Sequence, residues 1–231
     1  MSIKKHIPNT ITLMNLLCGV IGVICALYNK PDTAFILMLA AAVFDFCDGL
    51  AARLLKAYSP IGKELDSLCD MVSFGVLPAV MLMAAMQKGG VTLWYTYIPL
   101  FLALMSALRL AKFNVDERQS TDFIGVATPT SAIMSGALCC SGIAFPVWFI
   151  PAFAVVMGLL LVSEIPMFSI KIAKGHKLLD AKHIVLIVLV VASIAVTAAL
   201  RLNWSIAVLL VFGSYIVENL IIACISLYRR R

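Results

Sequence analysis

Charged side chains are scarce in this sequence. Asp, Glu, Lys and Arg make up 13% of the 231 residues, while hydrophobic residues make up 62% and the mean hydropathy is +1.03. Soluble domains average about 25% charged and about 45–50% apolar residues. A soluble chain of this length could not bury so much apolar surface. The scarcity of charge therefore excludes an ordinary soluble protein and predicts a polytopic membrane protein.

The sequence also lacks the patterns of several other architectures. Its seven cysteines follow neither a zinc-binding nor a disulfide spacing, and most fall in apolar runs, where they act as small hydrophobic residues. It contains no internal repeat, low-complexity tract or soluble linker, so residues 1–231 are predicted to form a single domain. The basic N-terminal segment precedes an apolar run without a cleavage-site pattern, which indicates an uncleaved first span.

Long apolar runs account for most of the chain. A helix needs about 20 apolar residues to cross a bilayer. Eight segments approach that length, so we predict an all-α integral membrane bundle of about eight transmembrane helices. The segments are 11–29, 33–57, 65–87, 91–112, 126–145, 148–170, 183–200 and 203–227. The fifth contains several small residues, which more often mark close helix packing than a break.

The basic residues are distributed very unevenly between the two ends of these helices. With eight spans, fifteen of the 18 Lys and Arg fall on the side that carries both termini, and only Lys30, Lys88 and Arg201 fall on the other. By the positive-inside rule, this predicts cytoplasmic termini in the inner (cytoplasmic) membrane of the cell. The excess of basic residues, a net charge of +6, then lies at the cytoplasmic boundary, where it suits anionic lipids and phosphate-bearing substrates. It does not indicate a nucleic-acid partner.

Four aspartates nevertheless occur at the predicted cytoplasmic ends of the second and third spans. A carboxylate within a spanning helix costs at least about 2.5–3.5 kcal/mol, so these four require a physical reason. Asp45 and Asp48 share one face of the second helix, and Asp66 and Asp70 share one face of the third. Pro60 breaks the chain between them, so two antiparallel helices are expected to bring the pairs together.

The four aspartates predict a site for divalent cations and phosphate chemistry. Carboxylates this close repel one another unless cations lie among them, and hard oxygen ligands favour Mg²⁺, Mn²⁺ or Ca²⁺ over zinc. On the same face, Gly49 and Ala52 leave room for a bulky group, and Arg53 offers a planar fork suited to phosphate. Two alternatives remain open on spacing alone: interfacial salt bridges with Arg53, Lys56 and Lys63, or a cation-coupled transporter.

The spacing of these residues resembles that of a known enzyme family. The pattern D-x2-D-G-x2-A-R-x8-G-x3-D-x3-D is the signature of the CDP-alcohol phosphatidyltransferases, and this chain has all eight fixed residues at the required positions. They are Asp45, Asp48, Gly49, Ala52, Arg53, Gly62, Asp66 and Asp70. The resemblance implies an enzyme that transfers a phosphatidyl group from CDP-diacylglycerol to an alcohol and releases CMP. It also implies a homodimer.

The resemblance implies a role for each residue of the signature. Asp45, Asp48 and Asp66 would anchor two divalent ions on the diphosphate. Asp70 would contact a metal and act as the general base. The CDP-lipid would be bound by Gly49, Ala52, Arg53 and Gly62, together with Asn9, Thr12 and Asn15 at the start of the first helix. Those three polar residues also suit capping and helix packing, and that alternative remains open.

A cationic segment at the end of the fourth span predicts where the acceptor alcohol binds. Arg109, Lys112 and Asn114 lie at the cytoplasmic boundary, either as snorkelling anchors or as ligands for a carboxylate or phosphate. With Asn15–Gly19, this segment resembles the phosphatidylserine synthases of the family, which implies L-serine as acceptor. Two positions depart from that subfamily, because Lys112 replaces an arginine and residues 126–127 replace Leu-Pro. Glycerol 3-phosphate or an inositol phosphate remains the alternative acceptor.

Two glutamates also lie within predicted spans. Glu164 falls in the segment 148–170 and Glu218 in the segment 203–227. We expect both to make interior hydrogen bonds rather than to take part in catalysis.

Overall fold

The protein is a helical bundle in the computed structural model, which describes residues 6–90, 94–116, 123–167 and 181–229. In chain order the elements are α1 (His6–Leu27), α2 (Pro31–Leu54), α3 (Pro60–Asp70), a π-helical segment (Met71–Val76), α4 (Leu77–Lys88), a 3-10 segment (Trp94–Leu100), α5 (Phe101–Val115), β1 (Phe123–Ile124), α6 (Thr128–Cys139), α7 (Phe149–Val162), β2 (Pro166–Met167), α8 (Ala181–Ala199) and α9 (Trp204–Arg229). The all-α fold class is confirmed. Within the described residues, the one departure is the antiparallel pairing of β1 with β2.

Five helical segments of the described chain are long and apolar enough to cross a membrane. They are His6–Leu27, Pro31–Leu54, Pro60–Lys88, Trp94–Val115 and Trp204–Ile225. The protein is therefore an integral membrane protein, but eight full spans are not confirmed. The helices α6 and α7 have 12 and 14 residues, fewer than the roughly 20 that a bilayer requires. Sequence hydropathy overestimated both because apolar residues continue through the loops that end them.

The hairpin between α2 and α3 forms where the sequence predicts it. The helix α2 ends at Leu54, and Pro60 opens α3 in the first turn, where its missing N–H costs nothing. Ser59 has extended backbone angles, and its hydroxyl accepts a hydrogen bond of 3.0 Å from the Gly62 N–H. A serine N-cap of this kind contributes about 1 kcal/mol to helix stability. The cap fixes the start of α3 and with it the direction of its carboxylates.

The helix α1 packs against α2, α3, the π-helical segment and α4. The core of this half contains Phe35, Met38, Leu77 and Met81, which are all at most 2% exposed. The helix α6 approaches closely because a Cβ atom on Gly136 would overlap the ring of Phe35. The small residues of the segment 126–145 thus mark close packing, as predicted.

A second core joins α5, α7 and α9. Leu102, Met157, Leu161 and Ile216 are buried together there. The contact is close because Gly158 faces the ring of Phe101, and a Cβ atom at this glycine would lie 2.9 Å from that ring. This packing fixes the end of α5 beside the end of α7, where a second group of charged residues lies.

Candidate active site

Three carboxylates of the α2–α3 hairpin converge at one end of the bundle. Asp45 and Asp48 come from the C-terminal half of α2, and Asp66 comes from the second turn of α3. One oxygen atom from each of them lies within 4.8 Å of the others. Asp48 is only 6% exposed, so little water is available to screen the three charges from one another.

This carboxylate trio (Asp45, Asp48 and Asp66) fits a hard divalent cation. Asp48 Oδ2 and Asp66 Oδ1 are buried, and neither has a hydrogen-bond partner among the residues that the structure describes. A buried polar atom without a partner costs about 1–3 kcal/mol, and more when it carries charge. A cation held among these oxygens would remove that cost together with the mutual repulsion. A donor set made only of carboxylate oxygens suits Mg²⁺ or Mn²⁺.

Two of the cations that the salt-bridge alternative requires make other contacts. The Arg53 Nε atom donates a hydrogen bond of 3.1 Å to the carbonyl oxygen of Gly49. The Lys63 Nζ atom donates one of 3.0 Å to the carbonyl oxygen of Asn114. Both side chains are directed to backbone carbonyls, so the structure does not favour an interfacial salt-bridge cluster at these positions.

Asp70 lies one turn beyond Asp66 but stands apart from the carboxylate trio. Its Oδ1 atom accepts a hydrogen bond of 3.0 Å from Asn15 Nδ2, which reaches across from α1. The charges of Asp45, Asp66 and Asp48 act on it, so it remains within electrostatic range of all three. Asn15 is fully buried, and this bond holds the Asp70 carboxylate in one orientation. An oriented carboxylate next to a cation site is suited to accept a proton.

A π-helical segment begins directly after Asp70. Such segments are rare and occur frequently at functional sites. Here the segment turns Ser73 toward α1, and its hydroxyl donates a hydrogen bond of 3.1 Å to the Asn15 carbonyl oxygen. The two helices can approach this closely because Gly19 has no side chain, and a Cβ atom there would overlap Ser73 Oγ. Asn15 is therefore positioned from both sides.

Gly19→Ala is expected to destabilise the protein by about 1–3 kcal/mol, because the added methyl group overpacks this contact. It should also lower turnover, since Asn15 and Asp70 would shift with Ser73. Adding Ser73→Ala to the Gly19→Ala variant should restore part of the thermal stability, because it removes the hydroxyl that the added methyl group meets. Gly213→Ala in α9 is the matched control, because a Cβ atom there meets nothing within 4 Å among the residues that the structure describes. Thermal unfolding in detergent compares these three variants with the unaltered protein, and equal destabilisation at both glycines would contradict this account.

A cavity of about 480 Å³ opens beside the carboxylate trio, between the first turns of α1 and the α2–α3 hairpin. We call it the α1–α3 cavity. The structure brings five of the predicted CDP-lipid ligands to its wall: Asn9, Thr12, Gly49, Ala52 and Gly62. It does not bring two others there, because Asn15 lies deeper, against Asp70, and Arg53 turns back along α2. Tyr58 and Lys63 also line it, and the signature did not identify them.

The two glycines of the signature, Gly49 and Gly62, occupy their positions for different structural reasons. A Cβ atom on Gly62 would lie 3.0 Å from Ser59 Oγ and 3.1 Å from Asn9 Oδ1, so α1 and α3 can meet only at a residue without a side chain. Among the described residues, a Cβ atom on Gly49 would have only Arg53 Nη2 within 4 Å, at 3.7 Å. Packing therefore does not require a glycine at 49. The space that it leaves belongs to the α1–α3 cavity, which favours a ligand as the reason for this residue.

A second cavity, of about 350 Å³, lies between the ends of α5 and α7, and we call it the α5–α7 cavity. Two predicted acceptor ligands, Arg109 and Lys112, are on its wall. Arg109 is 7% exposed, and its Nη1 atom donates a hydrogen bond of 2.9 Å to Thr128 Oγ1. Its Nε atom is buried without a partner among the described residues. The charge of Asp70 acts on the guanidinium, so Arg109 lies within electrostatic range of that carboxylate.

Asn114 is placed differently from the other two predicted acceptor ligands. Its Nδ2 atom donates a hydrogen bond of 2.9 Å to Ser67 Oγ, and its carbonyl oxygen accepts the bond from Lys63. These contacts join the end of α5 to α3. The structure thus gives Asn114 a connecting position, and its role in binding an acceptor stays a prediction.

Glu164 does not lie inside a helix, so its predicted placement within the span 148–170 was wrong. The helix α7 ends at Val162, and Ser163 is already extended. Glu164 is exposed and lines the α5–α7 cavity together with Arg109 and Lys112. Hydropathy does not reveal that the helix ends before Glu164, because apolar residues surround this position in the chain.

The arrangement can transfer a phosphoryl-linked group. Three carboxylates that could hold a cation lie beside a cavity of nucleotide size, an oriented carboxylate follows one turn later, and Arg109, which lines a second cavity, lies within electrostatic range of that carboxylate. A sequence model of known proteins, described as CDP-alcohol phosphatidyltransferase, matches residues 5–165, which include every residue of both cavities. The chain belongs to the CDP-alcohol phosphatidyltransferase family. It is therefore an enzyme, and the transporter alternative is set aside.

Curated members of the CDP-alcohol phosphatidyltransferase family are similar to this chain over much of its length. A Mycobacterium tuberculosis protein named CDP-diacylglycerol–serine O-phosphatidyltransferase is 30% identical over 218 residues, which cover 87% of this chain and 74% of that protein. A Bacillus subtilis protein of the same name is 37% identical over 127 residues, 54% of this chain and 70% of that protein. An archaetidylserine synthase from Methanothermobacter thermautotrophicus is 31% identical over 133 residues, 55% of this chain and 54% of that protein.

Proposed function

We propose that this enzyme transfers the phosphatidyl group of CDP-diacylglycerol to the hydroxyl of L-serine and releases phosphatidylserine and CMP. The observation that carries the proposal is the α5–α7 cavity, where the Nε atom of a buried arginine has no partner among the described residues and the guanidinium lies within electrostatic range of Asp70. A carboxylate-bearing alcohol would satisfy that guanidinium and bring its hydroxyl toward the base. The names of the bacterial and archaeal relatives support the same acceptor.

The α1–α3 cavity would hold the CDP-linked lipid. Gly49 and Ala52 leave space for the nucleotide beside the carboxylate trio, and Asn9 and Thr12 offer polar atoms on the facing wall. The cavity lies at the end of apolar helices, so the acyl chains can remain in the lipid while the nucleotide faces water. Arg53 and Asn15 lie outside the cavity wall, and we propose that they act on the site by organising its carboxylates.

The carboxylate trio would hold the divalent ions, Mg²⁺ or Mn²⁺, that the resemblance implies. When bound, such ions neutralise the diphosphate and stabilise CMP as the leaving group. Asp70 lies outside the group of three converging carboxylates and accepts a hydrogen bond from Asn15, which supports a role as proton acceptor for it.

The proposed reaction is a displacement at phosphorus. The serine hydroxyl loses its proton to the Asp70 carboxylate as its oxygen forms a bond to the phosphatidyl phosphorus. The bond from that phosphorus to the CMP oxygen breaks, and CMP leaves with the electron pair. Asn15 orients the carboxylate, and Arg109 binds the carboxylate of serine. Positioning of both reactants and general-base catalysis together account for the acceleration.

We also propose the orientation and assembly that the sequence indicates. The carboxylates and both termini would face the cytoplasm of the inner membrane, where nucleotide-activated lipid and serine are accessible. The whole chain would act as one domain, and two copies would associate as a homodimer.

The purified enzyme, supplied with CDP-diacylglycerol and Mn²⁺ or Mg²⁺, is expected to release CMP with L-serine. We expect L-serine to exceed glycerol 3-phosphate and an inositol phosphate by about 100-fold or more in kcat/KM, because a site that reads polar groups rejects acceptors lacking them. A reaction without acceptor measures background hydrolysis.

The results with these acceptors test the serine assignment and the proposed reaction separately. CMP release only with a phosphorylated alcohol would overturn the serine assignment and leave the family assignment intact. No release with any acceptor, from protein shown to be folded, would contradict the proposed reaction as a whole.

A further inference from the structure

The α5–α7 cavity carries charges of both signs. Arg109 and Lys112 line it from α5, and Glu164 lines it from the loop that follows α7. The cavity has a volume of about 350 Å³, near the lower limit of roughly 300 Å³ for small-ligand sites. A small ligand in this space would therefore meet groups of both charges at once.

Backbone contacts fix the loop that carries Glu164. The Gly125 N–H donates a hydrogen bond of 2.9 Å to the Ile165 carbonyl oxygen, and the Val126 N–H donates one of 3.1 Å to the Leu160 carbonyl oxygen. Gly125 has a φ angle of +74°, and a Cβ atom there would lie 2.9 Å from the Ser163 carbonyl oxygen. Bonds on both sides of Glu164 thus hold its backbone in place beside the cavity, which is typical of a preorganised ligand rather than a freely moving loop residue.

We propose that Glu164 binds the ammonium group of the acceptor and thereby selects an amino-acid alcohol. This inference rests on the proposed function and deepens it. L-Serine is a zwitterion, so it needs a cationic and an anionic partner, and the α5–α7 cavity offers cations from α5 and a carboxylate from the loop after α7. Phosphorylated alcohols carry two negative charges and no positive one, so the Glu164 carboxylate would repel them.

A second carboxylate, that of Asp116, also lines the cavity. It is half-buried at the end of α5 and already engaged with a partner. Glu164 is exposed, and no hydrogen bond or ion pair to its carboxylate is found within the described part of the chain. The geometry therefore favours Glu164 as the group available to a ligand.

The test compares Glu164→Gln with the unaltered enzyme on three acceptors that differ by one charged group each. L-Serine has both groups, 3-hydroxypropanoate lacks the ammonium, and 2-aminoethanol lacks the carboxylate. In Glu164→Gln we expect kcat/KM for L-serine to fall by roughly tenfold, mainly through KM, because a charge-assisted bond at an exposed site is lost. The value for 3-hydroxypropanoate should stay within about threefold, so that the preference for serine over this analogue collapses. The KM for CDP-diacylglycerol should not change.

Two further variants control for charge alone. Glu64→Gln removes the same charge from an exposed position on α3 that lines neither cavity, and it should retain full preference for serine. Arg109→Lys should show the reciprocal effect, a reduced preference for serine over 2-aminoethanol. Asp116→Asn should have a smaller effect on the ammonium preference than Glu164→Gln.

Several results would overturn the inference. An equal loss on serine and 3-hydroxypropanoate would show that Glu164 only supports the loop. A full loss of ammonium preference in Asp116→Asn, with none in Glu164→Gln, would transfer the role to Asp116. Serine turnover by the unaltered enzyme with no effect of Glu164→Gln would overturn this inference alone, whereas no turnover with serine would overturn the proposed function and this inference with it.

Discussion

Asp70→Asn is expected to lower kcat by about 10²- to 10⁴-fold while leaving the binding of CDP-diacylglycerol within a few-fold of its normal value. The amide has the shape of the carboxylate, and its oxygen can still accept the hydrogen bond from Asn15 Nδ2 that the structure shows at 3.0 Å. It cannot take a proton from an attacking hydroxyl. The change therefore removes a chemical step and keeps the packing around it. CMP release measures turnover, and equilibrium titration with the nucleotide-lipid measures binding.

The matched control for this prediction is Glu64→Gln, which makes the same carboxylate-to-amide change on α3 at an exposed site away from both cavities. It should retain turnover and binding. If Asp70→Asn instead lost binding and turnover in equal measure, Asp70 would act mainly as a ligand of the cations. The separation of Asp70 from the carboxylate trio would then have no chemical meaning.

The carboxylate trio could be predicted from the sequence because local rules determine it. Spacings of three and four residues place side chains on one helix face, and a Ser-Pro pair ends one helix and caps the next. Asp45, Asp48 and Asp66 therefore meet without reference to any distant part of the chain. The same reasoning grouped Asp70 with them, and its part in binding a cation stays a prediction.

The surroundings of Asp70 could not be predicted from the sequence, because a distant residue decides them. Asn15 lies 55 residues away in the chain, and it meets Asp70 only because α1 packs on α3 and because Gly19 admits Ser73 of the π-helical segment. No periodicity in the sequence encodes a π-helical segment. The sequence indicated that Asn15 is polar and lies in a spanning helix, but not which carboxylate it would orient.

The α5–α7 cavity shows a second limit of sequence reasoning. Hydropathy extends through residues 148–170, so Glu164 was expected inside a helix. In the structure α7 ends at Val162, and the chain then pairs with residues around Gly125. Long-range backbone hydrogen bonds replace helical ones there, and they place an acidic residue on the wall of a cavity that Arg109 and Lys112 also line. Charge counts and residue spacing cannot reveal such a contact, because neither indicates with which distant segment the chain pairs.

Asp48→Asn is expected to abolish the stabilisation of the protein by Mn²⁺ and to reduce turnover to background. Asp48 Oδ2 is buried and unpartnered within the described residues, so a cation held there gains a full charge-assisted contact. At a free Mn²⁺ concentration of 100 times its Kd, binding should stabilise the unaltered protein by about 2.7 kcal/mol. For a chain of this length that shifts Tm by several degrees. Thermal unfolding with and without Mn²⁺ measures the shift, and electron paramagnetic resonance counts the bound ion independently of turnover.

Without metal, Asp48→Asn should no longer be the less stable of the two proteins. This reversal distinguishes a metal ligand from a structural residue. Without cations, the carboxylates of the trio repel one another, so replacing one with a neutral amide should leave Asp48→Asn as stable as the unaltered protein or more stable. Asp32→Asn is the matched control, because Asp32 lies in the first turn of α2, about 24 Å along the helix from Asp48. It should keep the full Mn²⁺ response. If Asp48→Asn were less stable without metal and responded normally to Mn²⁺, Asp48 would hold the helices together, and the cations would bind elsewhere.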